Sequence, residues 1–152
     1  MSKTASICAL LVSIGSLVTI SVCAPWVLSD DSNSFLKNFV NHEMLGFLGV
    51  IVTITLASTA TLHLELNKLE EAAQIVVFGA TRRKIHLSAY SLIAALILAF
   101  VLVVTKPLFG SSAIATSLVN SGAIIIILFN VLVLFDITKS AFALKANVRD
   151  DY

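Results

Sequence analysis

The sequence predicts an all-α protein, a bundle of four membrane-spanning helices, on three observations. Four long runs contain no Asp, Glu, Lys or Arg: Ile7–Leu28, Met44–Leu64, Ile85–Thr105 and Leu118–Phe135, of 22, 21, 21 and 18 residues. Of the 152 residues, 58% are hydrophobic and only 12% are charged, and the mean hydropathy is +0.98. A soluble domain carries about 25% charged residues, so this chain lacks the charge for a water-facing surface. The third observation is where the basic residues fall. With the N-terminus in the cytoplasm, Lys3, Lys68, Arg82, Arg83, Lys84, Lys139, Lys145 and Arg149 lie inside, and only Lys37 and Lys106 lie outside. That bias follows the positive-inside rule and predicts an integral inner-membrane protein with both termini cytoplasmic.

Each run supplies the roughly 20 apolar residues that a helix needs to cross a hydrocarbon core of about 30 Å. A transmembrane barrel would instead need many alternating segments of about ten residues, which the sequence lacks. Residues outside the runs are too few for a second globular unit, so 1–152 is read as one domain.

The first run has the outline of a signal peptide: Lys3, an apolar stretch, then "SVCAP". Pro25 directly after Ala24 makes a poor cleavage site, and Val22 is too bulky for a lipoprotein signal, so the run is read as a retained helix. Its cysteines, Cys8 and Cys23, are separated by about 22 Å along a helix. That is beyond disulfide reach, and both are read as small packing residues. The helix is expected to end near Trp26, a ring suited to the membrane interface. After the polar loop "SDDSNS", "FLKNFVN" sets Phe35, Leu36, Phe39 and Val40 on one stripe, expected to lie flat on the outer membrane surface. Asn41 is read as the N-cap of the second span, with Glu43 favourable in its first turn.

The second helix is expected to run on without a stop. Between Gly49 and Gly79 there is neither Gly nor Pro, and from Met44 to Phe78 the chain has 35 residues, about 52 Å of helix at about 1.5 Å each. Its part at 62–80 is therefore expected to project into the cytoplasm, with Gly79 as the breaker and "TRRK" as the turn. The third helix is placed from Ile85, "KPLFGSS" is the next turn, and the fourth helix is placed as far as Asp136 with a short charged tail.

On the projection, Leu62, Leu66, Leu69, Ala73, Val76 and Ala80 recur at spacings of 4, 3, 4, 3 and 4, a heptad seam. The seam fits another copy of the chain or a cytosolic protein partner. The alternative is contact with the start of the third helix or the tail of the fourth in the same chain. Small residues recur every four positions at Gly49, Thr53, Ala57 and Thr61, at Ser91, Ala95 and Ala99, and at Gly15, Thr19 and Cys23. In lipid such faces let backbones approach closely, within the bundle or between subunits. Asn130 is the strongly polar residue deep in a span, and its amide must find a hydrogen-bond partner. It is read as an interhelical contact, or as a pore-lining group.

His63 and His86 fall at similar depth by the cytoplasmic interface, where they could meet, titrate or bind a metal. Two histidines without a third ligand make a poor metal site, so they are read as polar anchors. His42–Glu43 lacks the spacing of a zinc protease. Arg82, Arg83 and Lys84 form a basic triplet read as a lipid-headgroup contact, each gaining about 1 kcal/mol from anionic lipid. Three clustered charges do not make a nucleic-acid site. No nucleophile elbow, phosphate-binding loop, paired cysteines or paired intramembrane aspartates occur. No enzyme activity and no cofactor are expected.

The run "TITLASTATLHLELNKLEEA", Thr53–Ala72, together with the four-span plan, resembles small bacterial four-helix membrane proteins. Among these is the membrane subunit of the Kiwa antiviral defence system. That resemblance implies a tetramer-like assembly that senses phage attack and scaffolds a cytosolic effector; it transfers no functional residue. Three functions stand from the sequence: a homo-oligomeric scaffold or sensor with a cytosolic partner, a small oligomeric channel, and an accessory subunit of a larger membrane complex.

Overall fold

The computed structural model describes residues 3–73, 79–109 and 112–149. Among them there are helices and turns and no strand. The long helices are α1 (Lys3–Cys23), α3 (His42–Ala73), α4 (Gly79–Thr105) and α5 (Ala113–Arg149), and a short α2 (Ser34–Phe39) lies between the first two. Among the described residues three stretches are long and apolar enough to cross a membrane: His42–Glu71, Thr81–Phe109 and Ala113–Lys139. Cys8–Cys23 is a shorter apolar helix. The chain is thus an integral membrane protein built from a helical bundle.

Several boundaries differ from the sequence reading. The "TRRK" residues do not turn; they are helical, and α4 begins six residues before Ile85, at Gly79. Arg and Lys are good helix formers, so charge alone does not end a helix. Gly79 accordingly opens a helix instead of closing one, and Ala80 belongs to α4, not to the projection of α3. The fourth helix begins at Ala113 and continues to Arg149, well past Asp136. The first helix stops at Cys23, where Pro25 starts a 3₁₀ turn, Pro25–Val27.

Helices α3 and α4 pack against each other, α5 lies against both, and α1 packs on α5. Two apolar clusters result. Near Lys106, Leu28, Leu36, Val40, Met44 and Leu48 meet Ala95, Ala99, Ala123 and Ile126. Near Arg82, Val52, Leu62 and Leu66 meet Ile85, Leu92 and Ile137. Between the clusters, two of the helices carry buried polar groups: Thr55 and Thr59 on α3, and Asn130 on α5. The threonine hydroxyls donate to the carbonyls of Ile51 and Thr55, both at 2.7 Å, so neither demands a partner from another helix.

The apolar stripe around α2 is divided: Leu36, with Val40 just after the helix, is buried in the core. The side chain of Asn33 caps α2, its Oδ1 accepting from the Leu36 N–H at 3.0 Å. Phe35 stays exposed and stacks on Phe39, with ring centroids 5.4 Å apart.

The three small-residue faces have different fates. On α4, Ala95 and Ala99 are buried in the bundle. On α3, Thr53, Ala57 and Thr61 face outward, and a Cβ added at Gly49 would meet nothing within 4 Å. On α1, Gly15, Thr19 and Cys23 are also exposed. Only α4 therefore spends its small residues on packing within the chain.

Candidate functional site

The polar groups of the bundle collect at its two ends. At the Arg82 end, the heptad spacing on α3 points at α4 and α5, because those helices cover that face. Leu62 is 6% exposed and Leu66 only 1%, and both pack with Ile85 and Ile137. The first half of the seam is therefore occupied by the protein's own helices. Leu69 is half-buried, Ala73 closes α3, and Val76 lies outside the described residues.

Arg82 reaches from α4 back to α3, where its guanidinium pairs with the Glu70 carboxylate and donates to the Asn67 side-chain oxygen. This withdraws one member of the basic triplet into the helix pair, while Arg83 and Lys84 stay exposed. His63 and His86 do meet: their rings lie edge to face with centroids 5.3 Å apart. His63 Nδ1 is buried without a hydrogen-bond partner. Among the described residues no three potential ligands gather around a metal position. Glu65, Lys68 and Glu71 are exposed on α3. Between α3, α4 and α5 a cleft of about 230 Å³ opens, with Lys84 and Asp136 among its lining residues.

The Lys106 end was not foreseen as a polar site. Lys106, in the 3₁₀ turn Lys106–Phe109, is 9% exposed. Its ammonium lies 3.1 Å from Asp30 Oδ1 and donates to the Val40 carbonyl at 3.3 Å. Asn120 adds a second tie, since its amide nitrogen donates to the Leu28 carbonyl at 2.7 Å and to Asp30 Oδ1 at 2.8 Å. One carboxylate oxygen thus joins the turn after α4 to the side of α5. At the next residue of α5, the Ser121 hydroxyl lies 2.6 Å from that of Ser21 and holds α1 to α5. Asn120 is a second amide inside the fourth uncharged run. An amide in a span demands partners, so a signal for this site was present in the sequence.

Asn130 is 0% exposed, and its amide donates to the Ile126 carbonyl, one turn back on its own helix, at 2.8 Å. It is enclosed by its own chain, with its side-chain oxygen unpartnered.

No protein-family model, no curated protein and no solved structure matches the chain.

Proposed function

We propose that this chain is a non-enzymatic, homo-oligomeric membrane scaffold or sensor that docks a cytosolic partner at its Arg82 end. On this reading it has four spans, with α1 as the first, and both termini are cytoplasmic. The observation that carries the reading is the asymmetry of the two ends. At the Arg82 end, α3 continues nine residues past Leu64 to Ala73, and α5 continues fourteen past Phe135 to Arg149. These are overhangs of about 13 Å and 21 Å at about 1.5 Å per residue. Exposed charges on Glu65, Lys68, Glu71 and Arg83 line the described part of that end. At the opposite end the chain folds back tightly and pairs Asp30 with the buried Lys106, while Asp31, Lys37 and Glu43 stay exposed.

The positive-inside count supports a cytoplasmic Arg82 end. The outward small faces of α1 and α3 support close contact between subunits. The resemblance of Thr53–Ala72 and the four-span plan to small bacterial four-helix membrane proteins, the Kiwa membrane subunit among them, is what suggests a role in antiviral defence.

The test is gentle extraction followed by native mass spectrometry, comparing the wild type with the double variant Lys68→Glu/Arg83→Glu and with Lys37→Glu at the other end. The expected result is an oligomer in all three, with a stoichiometric soluble partner lost only from the double variant. A monomer without any soluble companion, or a companion indifferent to the double variant, defeats the reading. Leu66→Lys would not be a clean probe, because Leu66 is buried in the fold itself.

A further inference from the structure

The segment 30–40 leaves the bundle and returns to a single ammonium. Lys106 Nζ lies 3.1 Å from Asp30 Oδ1 at the start of the segment and donates to the Val40 carbonyl, 3.3 Å away, at its end. One cation thus clasps both ends of a short compact loop. Inside the loop Asn33 caps α2 and donates its amide to the Val27 carbonyl at 3.3 Å.

Within this loop α2 has three sides. Leu36 goes into the core, with Val40 just after the helix. Phe35 and Phe39, at i and i+4, share a second side, where Phe35 is 68% exposed. At about 100° per residue, Ser34, Lys37 and Asn38 fall on the remaining side, and all three are exposed. Protein, an apolar medium and water each match one side.

Phe47 fixes the depth of the aromatic side. It stands five residues inside the stretch His42–Glu71, about 7.5 Å below its start, and is partly exposed. An exposed ring at that depth on a spanning helix faces hydrocarbon. The Phe39 ring meets it edge to face with centroids 6.2 Å apart, and Phe35 stacks on Phe39 at 5.4 Å. The three rings form one surface that begins inside a span. Lys106 marks the same level independently, since it lies near the end of Thr81–Phe109 and touches the end of the loop. An apolar helix face at such a boundary sinks about 5–10 Å into it.

We propose that the segment 30–40 is a clasped insertion loop, with Phe35 and Phe39 entering the lipid of the leaflet at the Lys106 end. Lys106 is a positioning residue: by holding the two ends together it keeps the aromatic side at the depth of Phe47. Lipid is the occupant, not a second copy. Phe47 and Gly49 are separated by about 200° around α3, so the rings lie away from the small-residue face at Gly49. The insertion does not rest on the docking reading above.

The test is depth-dependent fluorescence quenching of the full-length protein in phosphatidylcholine vesicles. Trp26→Phe removes the native indole, and a single reporter is placed by Phe35→Trp or, on the polar side, by Asn38→Trp. The lipid carries bromine either near the carbonyl end of its chains or at their tips, and iodide is added on both sides of the vesicle. At position 35 the expected result is strong quenching by shallow bromine, weaker quenching by deep bromine and little by iodide. Position 38 should show the reverse, iodide above bromine. Iodide quenching at 35 equal to that at 38 would put the loop in water and overturn the insertion. Protection of position 35 from iodide and bromine alike would mean that a second copy covers the rings, and would overturn it equally. This comparison leaves the clasp untouched. Adding Lys106→Met should then raise iodide quenching and lower bromine quenching at position 35. The same substitution combined with Phe47→Trp should leave bromine quenching in place, because the span persists. Bromine quenching at position 35 unmoved by Lys106→Met would overturn the clasp.

Discussion

The two ends of the bundle solve the same problem, where to put charge beside an apolar core, in opposite ways. At the Lys106 end one pair of charges, Asp30 and Lys106, turns inward, while Asp31, Lys37 and Glu43 stay at the surface. Asp30, Lys106 and Asn120 share one carboxylate oxygen, and the backbone carbonyls of Leu28 and Val40 complete the set. At the Arg82 end the helices run on, and most charges stay at the surface. There Arg82 makes an ion pair between neighbouring helices, while Lys68, Arg83 and Lys84 face outward. A buried pair is costly to break, because removing one partner strands the other charge. An exposed charge contributes little to stability and is available for contact. The first end holds the helices together, and the second leaves the exposed charge that the proposed docking requires.

The comparison can be broken most severely at Asp30. Asp30→Ala leaves the Lys106 ammonium, whose side chain is 11% exposed, without its carboxylate. The expected loss is about 3 kcal/mol, read as a lower unfolding midpoint in mild detergent. A change within the scatter of repeat melts would mean that this end is not a latch.

Leu66→Ala tests whether the Arg82 end is nonetheless packed. Its expected cost of about 2.5 kcal/mol, through a cavity against Ile85 and Ile137, belongs to the fold and not to docking. If Leu66→Ala were neutral for stability but removed a soluble partner, the seam would be an outward surface after all.

Asn120→Ala removes two hydrogen bonds and strands the Leu28 carbonyl, for about 2 kcal/mol. The same melting assay, applied together with Asp30→Ala, should give less than the sum of the two losses, because they share an oxygen. Strict additivity would separate what the structure joins.

The smallest effect is expected at Arg82. Arg82→Gln should cost about 1 kcal/mol or less, as partly exposed pairs do. Added salt should shrink that difference further. A loss as large as that of Asp30→Ala would erase the contrast between the ends.

Much of the architecture could be read from residue order. Uncharged runs of some twenty residues mark membrane helices whatever their neighbours do, and the end of Met44–Leu64 was correctly read as charge appearing on a continuing helix. The turn was misplaced because Arg82, Arg83 and Lys84 are as much at home in a helix as in a loop, so charge was mistaken for a break. The heptad positions Leu62 and Leu66 were identified as one face, since periodicity fixes which residues share a side. Periodicity does not say what that side meets, and here it meets α4 and α5. The Asp30–Lys106–Asn120 cluster was only partly legible, for a different reason: Asn120 announces a buried amide in need of partners, but not which partners. Asn120 and Asp30 are 90 positions apart, and nothing local in either segment encodes the other. The small residues of α1 and α3 were legible as faces, but not as faces pointing away from the bundle.

The central claim is that the Arg82 end is the cytoplasmic docking end and the Lys106 end a closed outer cap. It is tested most directly by photo-crosslinking in intact cells, with the reactive side chain placed at Lys68 in one strain and at Asp31 in another; both positions are exposed. The account predicts one discrete soluble, cytosolic protein adduct from position 68 and none from position 31. Adducts from position 31 with a cytosolic protein, and none from position 68, would contradict it.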